Sequence, residues 1–90
     1  MPEQYKLVFT EPFAKDLERL DPVVRGQALR VLEAMETEPD GELLRGELKG
    51  LRSRRVRRGW RIVFRVDGQR IVLLLIGTHE VYERIRRRRR

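Results

Sequence analysis

The sequence predicts an α+β domain: an N-terminal strand and a helical hairpin packed on an antiparallel sheet, with a short C-terminal basic tail or helix. Three observations predict it. Apolar residues recur at helical spacing over residues 13–35 and at strand spacing over residues 60–76. Asp67-Gly68 separates the last two strand-like runs. A chain of 90 residues, 40% hydrophobic, buries only roughly 60–65% of its unfolded surface and so supports one core. Residues 1–90 are therefore expected to form a single domain.

Each element has its own signal. Residues 5–9 carry a β-branched and aromatic bias and form the first strand. Thr10 is placed to cap a helix whose first turn holds Glu11 and Pro12. Phe13, Leu17 and Leu20 give that helix one apolar stripe. Asp21-Pro22 supplies the N-cap and N1 of a second helix, lined by Val24, Ala28, Val31, Leu32 and Met35 through about Glu36. Residues 37–50 are turn-rich and read as a flexible connection. From Leu51 the period becomes that of strands. Trp60, Ile62, Phe64 and Val66 share one face, with Arg61, Val63 and Arg65 on the other. Asp67-Gly68 predicts a two-residue type I′ turn, which sets Arg61 opposite Leu74. Residues 71–76 are apolar on both faces, as in a central strand covered on both sides. Residues 80–90 can form a short helix, but the five terminal arginines repel one another, so 85–90 are expected to fray.

Charge divides the chain. Residues 1–50 hold seven basic and eleven acidic side chains, whereas residues 51–90 hold fourteen and three. With a net charge of +7 and a pI near 11, an anionic partner is the natural expectation. An arginine-rich genome is the competing explanation, since eighteen of the 21 basic residues are Arg. Confinement of the excess to one half favours a functional surface. There is no apolar segment long enough to span a bilayer, so the expectation is a cytoplasmic protein with no membrane partner.

The chemistry is bounded by what is missing. There is no cysteine, no glycine-rich phosphate loop and no metal-ligand cluster, so neither metal nor cofactor is expected. His79 has only Ser53 as a serine partner, which makes a nucleophilic triad implausible. What remains is cationic: Arg52, Arg54, Arg55, Arg57, Arg58, Arg61 and Arg65, with His79 and Tyr82. That set suits RNA cleavage by the substrate's own 2′-hydroxyl, which needs a base, an acid and cations for the phosphorane. Arginine serves only the last role, because it stays protonated. His79 is the one side chain that changes charge near neutral pH; the alternative is a surface or strand-capping histidine. Tyr82 either transfers a proton, stacks on a base or simply packs. Arg61, threaded between Trp60 and Ile62, is a preorganised phosphate ligand or a snorkelling strand residue. Arg52, Arg54, Arg55, Arg57 and Arg58 together would give salt-dependent RNA affinity.

Two stretches carry a family resemblance. YKLVFTEPFAKDLERLDPVVRGQAL resembles the opening strand and helical hairpin of the RelE/ParE toxin superfamily of type II toxin–antitoxin modules. LLRGELKGLRSRRVRRGWRIVFRVDGQRIVLLLIGTHEVY resembles its leucine–glycine approach, arginine-bearing strand and closing strand. The Gly-Thr-His segment is similar to the YafQ-like branch. The resemblance implies a RelE-like fold and a growth-inhibiting toxin neutralised by a cognate acidic antitoxin. It further implies an mRNA interferase, an endoribonuclease acting on mRNA in the ribosome. By motif, the paired cations fall on Arg52 and Arg54, the phosphate-binding arginine on Arg61, and the closing catalytic element on His79 and Tyr82, so that Arg54, Arg61, His79 and Tyr82 form the implied catalytic set. Lysines often stand in the family where this chain has Arg52 and Arg54. ParE-like members share the fold and act on DNA gyrase, which leaves gyrase as the alternative partner. A non-catalytic basic nucleic-acid-binding domain is the third reading.

Overall fold

Alternation of hydrophobic period along the chain becomes, in the computed structural model, three helices and a five-stranded sheet within residues 4–88, which are the residues described. The elements are β1 (Lys6–Phe9), α1 (Glu11–Glu18), α2 (Pro22–Met35), β2 (Glu42–Leu43), a 3-10 turn (Gly46–Leu48), β3 (Arg52–Arg57), β4 (Trp60–Asp67), β5 (Arg70–Gly77) and α3 (Glu80–Arg88). In space the strands run β1-β5-β4-β3-β2. All neighbours are antiparallel except β1, which lies parallel to β5 from Lys6↔Arg70 to Phe9↔Leu73. The first strand therefore belongs to the sheet, which is mixed and not purely antiparallel. The crossover from β1 to β5 is long enough to allow the parallel pairing, because both helices and three strands intervene.

The helical hairpin forms where the caps place it. Asp21 accepts the Val23 N–H at 3.1 Å and Pro22 occupies the first helical position. Arg25 closes the junction: its guanidinium donates to the carbonyls of Leu17, Glu18 and Leu20 at 3.3, 3.0 and 2.7 Å. Those carbonyls would otherwise lack partners at the C-terminal end of α1. Thr10 stands at the N-cap of α1 but makes no side-chain cap. Its hydroxyl instead donates to the Leu73 carbonyl at 2.6 Å.

Two cores cover the two sheet faces. Phe13, Leu20, Val24, Ala28, Leu32 and Met35 of the helical layer pack on Ile62, Phe64, Ile71, Leu73 and Ile76. On the opposite face Leu48, Leu51, Val63, Leu75 and Ile85 form the second cluster, with Leu44, Leu74 and Tyr82 at its margin. β5 is thus buried on both sides, as its continuous apolar run requires. The expected flexible connection is built: β2 pairs with β3 through Glu42↔Ser53 and Leu43↔Arg52, and Leu48 is buried.

The hairpin register differs from expectation in two ways. Asp67 pairs with Arg70, so the turn residues are Gly68-Gln69. Gly68 has φ +61 and no non-glycine residue described has positive φ, the pattern of a type II′ turn and not I′. A bulge between Val63 and Phe64 then shifts the pairing, and Arg61 lies opposite Gly77, not Leu74. At the C-terminus α3 runs from Glu80 to Arg88, with Ile85 buried in the second core. The rest of the expected frayed tail, residues 89–90, lies outside the described residues.

A candidate anion site at the end of the sheet

Cross-strand pairing sorts the arginines by face. Residues directly opposite share a face, so Arg52 and Arg54, paired with Phe64 and Ile62, lie on the helix-covered side. Arg55 pairs with Arg61, and Ser53 with Val63, on the side that carries α3. Arg65 stays on this second side, where it lines a cavity of about 370 Å3 with Leu51, Leu74, Leu75 and Ile85. Arg57 ends β3, and Arg58 sits in the turn that Gly59 makes at φ +81. Both are exposed.

The chemically suggestive group is therefore smaller than the sequence inventory. Arg61 and Arg55 face each other across β3 and β4, an arrangement that costs energy through like-charge repulsion unless an anion intervenes. One does. Glu42 on β2 places Oε2 at 3.7 Å from Arg61 Nη1, with the two side chains 74% and 37% exposed. Pairing of Glu42 with Ser53 puts that carboxylate on the same face as Arg61. The sequence reading missed Glu42, because a two-residue strand has no period to detect.

His79 is exposed on the turn into α3, two residues beyond the Gly77 that pairs with Arg61. Its carbonyl accepts the Tyr82 N–H at 3.2 Å, which starts the helix. Arg61 and His79 therefore belong to one end of the sheet.

Two other residues of the implied catalytic set make hydrogen bonds within the fold. Arg54 points to the helical layer and donates to the Glu38 carbonyl at 2.6 Å, just beyond the end of α2. Tyr82 donates its phenol to Ser53 Oγ at 2.9 Å, and Ser53 is 2% exposed. A buried hydroxyl needs a partner, and this bond ties α3 to β3.

The end of β5 is fixed by α1. Beyond Phe9 the β1 edge stops, while β5 continues to Gly77. Asp16 takes the place of a neighbouring strand: its Oδ2 accepts the Ile76 N–H at 3.4 Å. The same carboxylate receives both Arg84 nitrogens at 3.2 Å, a two-pronged ion pair between α1 and α3. Asp16 is 12% exposed. No group of three or more His, Cys, Asp or Glu among the described residues is arranged to hold a metal. No described helix is long and apolar enough to cross a membrane.

Comparison with known proteins bears on this geometry. The family model described as ParE toxin of type II toxin–antitoxin system, parDE, matches residues 7–81. The chain belongs to this family. It is a type II toxin of the RelE/ParE superfamily, as the two sequence stretches implied. No curated protein matches the toxin in sequence. Among solved structures, the toxin is similar to a chain of the RelBE toxin–antitoxin complex from Mycobacterium tuberculosis, with 28% identity, TM-score 0.76, and coverage of 84% of this chain and 99% of that one. It is also similar to a YoeB/ParE toxin from Agrobacterium tumefaciens (28% identity, TM-score 0.71, 82% and 98% coverage). A mutant of the E. coli toxin RelE in the free state gives 26%, 0.75, 94% and 97%. The toxin thus has the RelE-like α+β fold.

Proposed function

We propose that this toxin is an endoribonuclease that cuts mRNA on the ribosome, using the RNA's own 2′-hydroxyl as nucleophile. The observation that carries the reading is the Arg55–Arg61 pair on an open face, with the Glu42 carboxylate 3.7 Å from Arg61. Two opposed guanidiniums are a seat for a phosphodiester, and each can donate to two of its oxygens. An entering phosphate displaces Glu42 from Arg61 and leaves a carboxylate beside the substrate. Glu42 then takes the 2′-hydroxyl proton, the 2′-oxygen attacks phosphorus, and the P–O5′ bond breaks. Protonated His79 gives its proton to the departing 5′-oxygen. The products are a 2′,3′-cyclic phosphate and a 5′-hydroxyl, and charge on the phosphorane is neutralised by Arg61 and Arg55. Arg57, Arg58 and Arg65 extend the cationic surface along which the strand lies. In this reading Arg52 and Arg54, on the helix side of the sheet, take no part in the reaction.

Cleavage of A-site mRNA in a purified translation complex tests the proposal. Wild type should cut; Arg61→Ala, Glu42→Gln and His79→Ala should each slow cutting by roughly 10²–10⁴. Undiminished cutting by the Arg61→Ala, His79→Ala double variant overturns the site. A second reading has one specific support, the ParE description of the matching family model: inhibition of DNA gyrase. Intact mRNA together with blocked supercoiling by wild type would replace the first reading with that one. The partner that restrains the toxin is, in the same proposal, an acidic antitoxin bound to the arginine-rich half; the similarity to a chain of a toxin–antitoxin complex supports it.

A further inference from the structure

Beside the phosphate seat, on the other side of the sheet end, lies a recess of about 240 Å3 lined by Trp60, Leu20 and Ile76, with Arg19, Thr78 and Glu80 at its polar margin. We propose that it receives one unstacked nucleobase of the RNA whose phosphate Arg61 holds. This deepens the RNA-cleavage reading and rests on it.

Size, charge and connection point the same way. The volume is below the roughly 300–1,000 Å3 of pockets that enclose drug-sized ligands, so a whole cofactor does not fit and a single ring system does. Asp16 and Arg84, which also line the recess, neutralise each other through their two-pronged pair. Arg19 and Glu80 are of opposite sign and form no side-chain hydrogen bond or ion pair with other described residues; nor does the Thr78 hydroxyl. The recess is thus electrically balanced, unlike the doubly cationic Arg55–Arg61 face. It suits a flat, neutral group with donors and acceptors on its edge, whereas an acidic peptide or free phosphate belongs on the other face. A nucleotide supplies both kinds of group at once. Trp60 and Arg61 are consecutive in β4, so their side chains leave opposite faces of the sheet within one residue step. Gly77 pairs with Arg61 and also lines the recess. Trp60 then offers a ring face on which any base can stack.

Trp60 is the chain's one tryptophan, so its emission reports the recess directly. The probe is a labelled RNA hexanucleotide with a 2′-deoxy sugar at the cleaved position, compared with the same strand lacking the base beside that position. Polarisation gives affinity, and Trp60 emission gives stacking. The intact oligonucleotide should bind about ten-fold more tightly than the abasic one and should alone quench Trp60. Trp60→Phe should keep the preference for the intact strand. Trp60→Leu, which retains apolar packing and whose folding circular dichroism verifies, should lose it. A preference unchanged in Trp60→Leu, or equal quenching by the abasic strand or by polyglutamate, overturns the base pocket while leaving the phosphate seat intact. Failure of the cleavage reading looks different: Arg61→Ala would then bind both oligonucleotides as wild type does, or neither would bind wild type at all.

Discussion

Arg54 and Arg61 lie on neighbouring strands, yet the parity of their positions sends one to the helical layer and the other to the opposite face. Arg54 spends its guanidinium on the Glu38 carbonyl at 2.6 Å, tying the segment after α2 to β3. Arg54→Ala should therefore lower stability by about 1 kcal/mol. For a domain of this size that is a fall of about 4–8 °C in Tm, while RNA cleavage stays within a few-fold of wild type. A loss of cleavage as large as that of Arg61→Ala, at unchanged Tm, would return Arg54 to the catalytic set. Motif matching could not separate the two arginines, because it records order along the chain and not side of the sheet. The alternation of Trp60, Ile62 and Phe64 with Arg61, Val63 and Arg65 did make the face of Arg61 legible. Glu42 was invisible for the opposite reason: its meaning comes wholly from a partner nineteen positions away in β4.

Among elements, α3 is the one whose attachment decides the shape of the site. Ile85 enters the second core, Arg84 grips Asp16, and the Tyr82 phenol reaches Ser53. Tyr82→Phe leaves the buried Ser53 hydroxyl without its donor and should cost about 1–2 kcal/mol. Adding Ser53→Ala should recover most of that loss, a coupling measurable by a double-mutant cycle in urea. If cleavage by Tyr82→Phe falls as far as by His79→Ala while stability is untouched, the phenol has a chemical role after all. Sequence alone signalled that a helix was possible here and that arginine repulsion opposed it, but the anchoring by Ile85 depends on a core assembled from distant segments. The register of β5 was hidden too. A strand apolar on both faces shows no defect in its pattern when a bulge slips it by one residue. By contrast α1 and α2 were legible almost to the residue, because Asp21-Pro22 marks both a stop and a start.

At the scale of the whole molecule, the uneven division of charge dominates. The half after residue 50 carries eleven more basic than acidic side chains, and β3, β4 and their turn display most of those that the structure describes. An acidic antitoxin should be drawn to this surface from a distance. Its association rate should fall steeply as ionic strength rises from about 0.05 to 0.5 M, with a much smaller change in dissociation rate. Stopped-flow mixing of toxin with the acidic product of a neighbouring gene measures both. Rates insensitive to salt, or no complex at all, would count against this partner.

The sheet closes by laying its first strand against its last, and Thr10 bonds to Leu73 across 63 positions of chain. Contacts of that separation form late and slowly. A nascent chain halted before residue 70 has no strand for β1 to join, no Gly77 opposite Arg61, and no His79. Both halves of the proposed machinery come together only after residue 79 has been added. A nascent chain thus carries no complete copy of the proposed site until both β5 and His79 have been added.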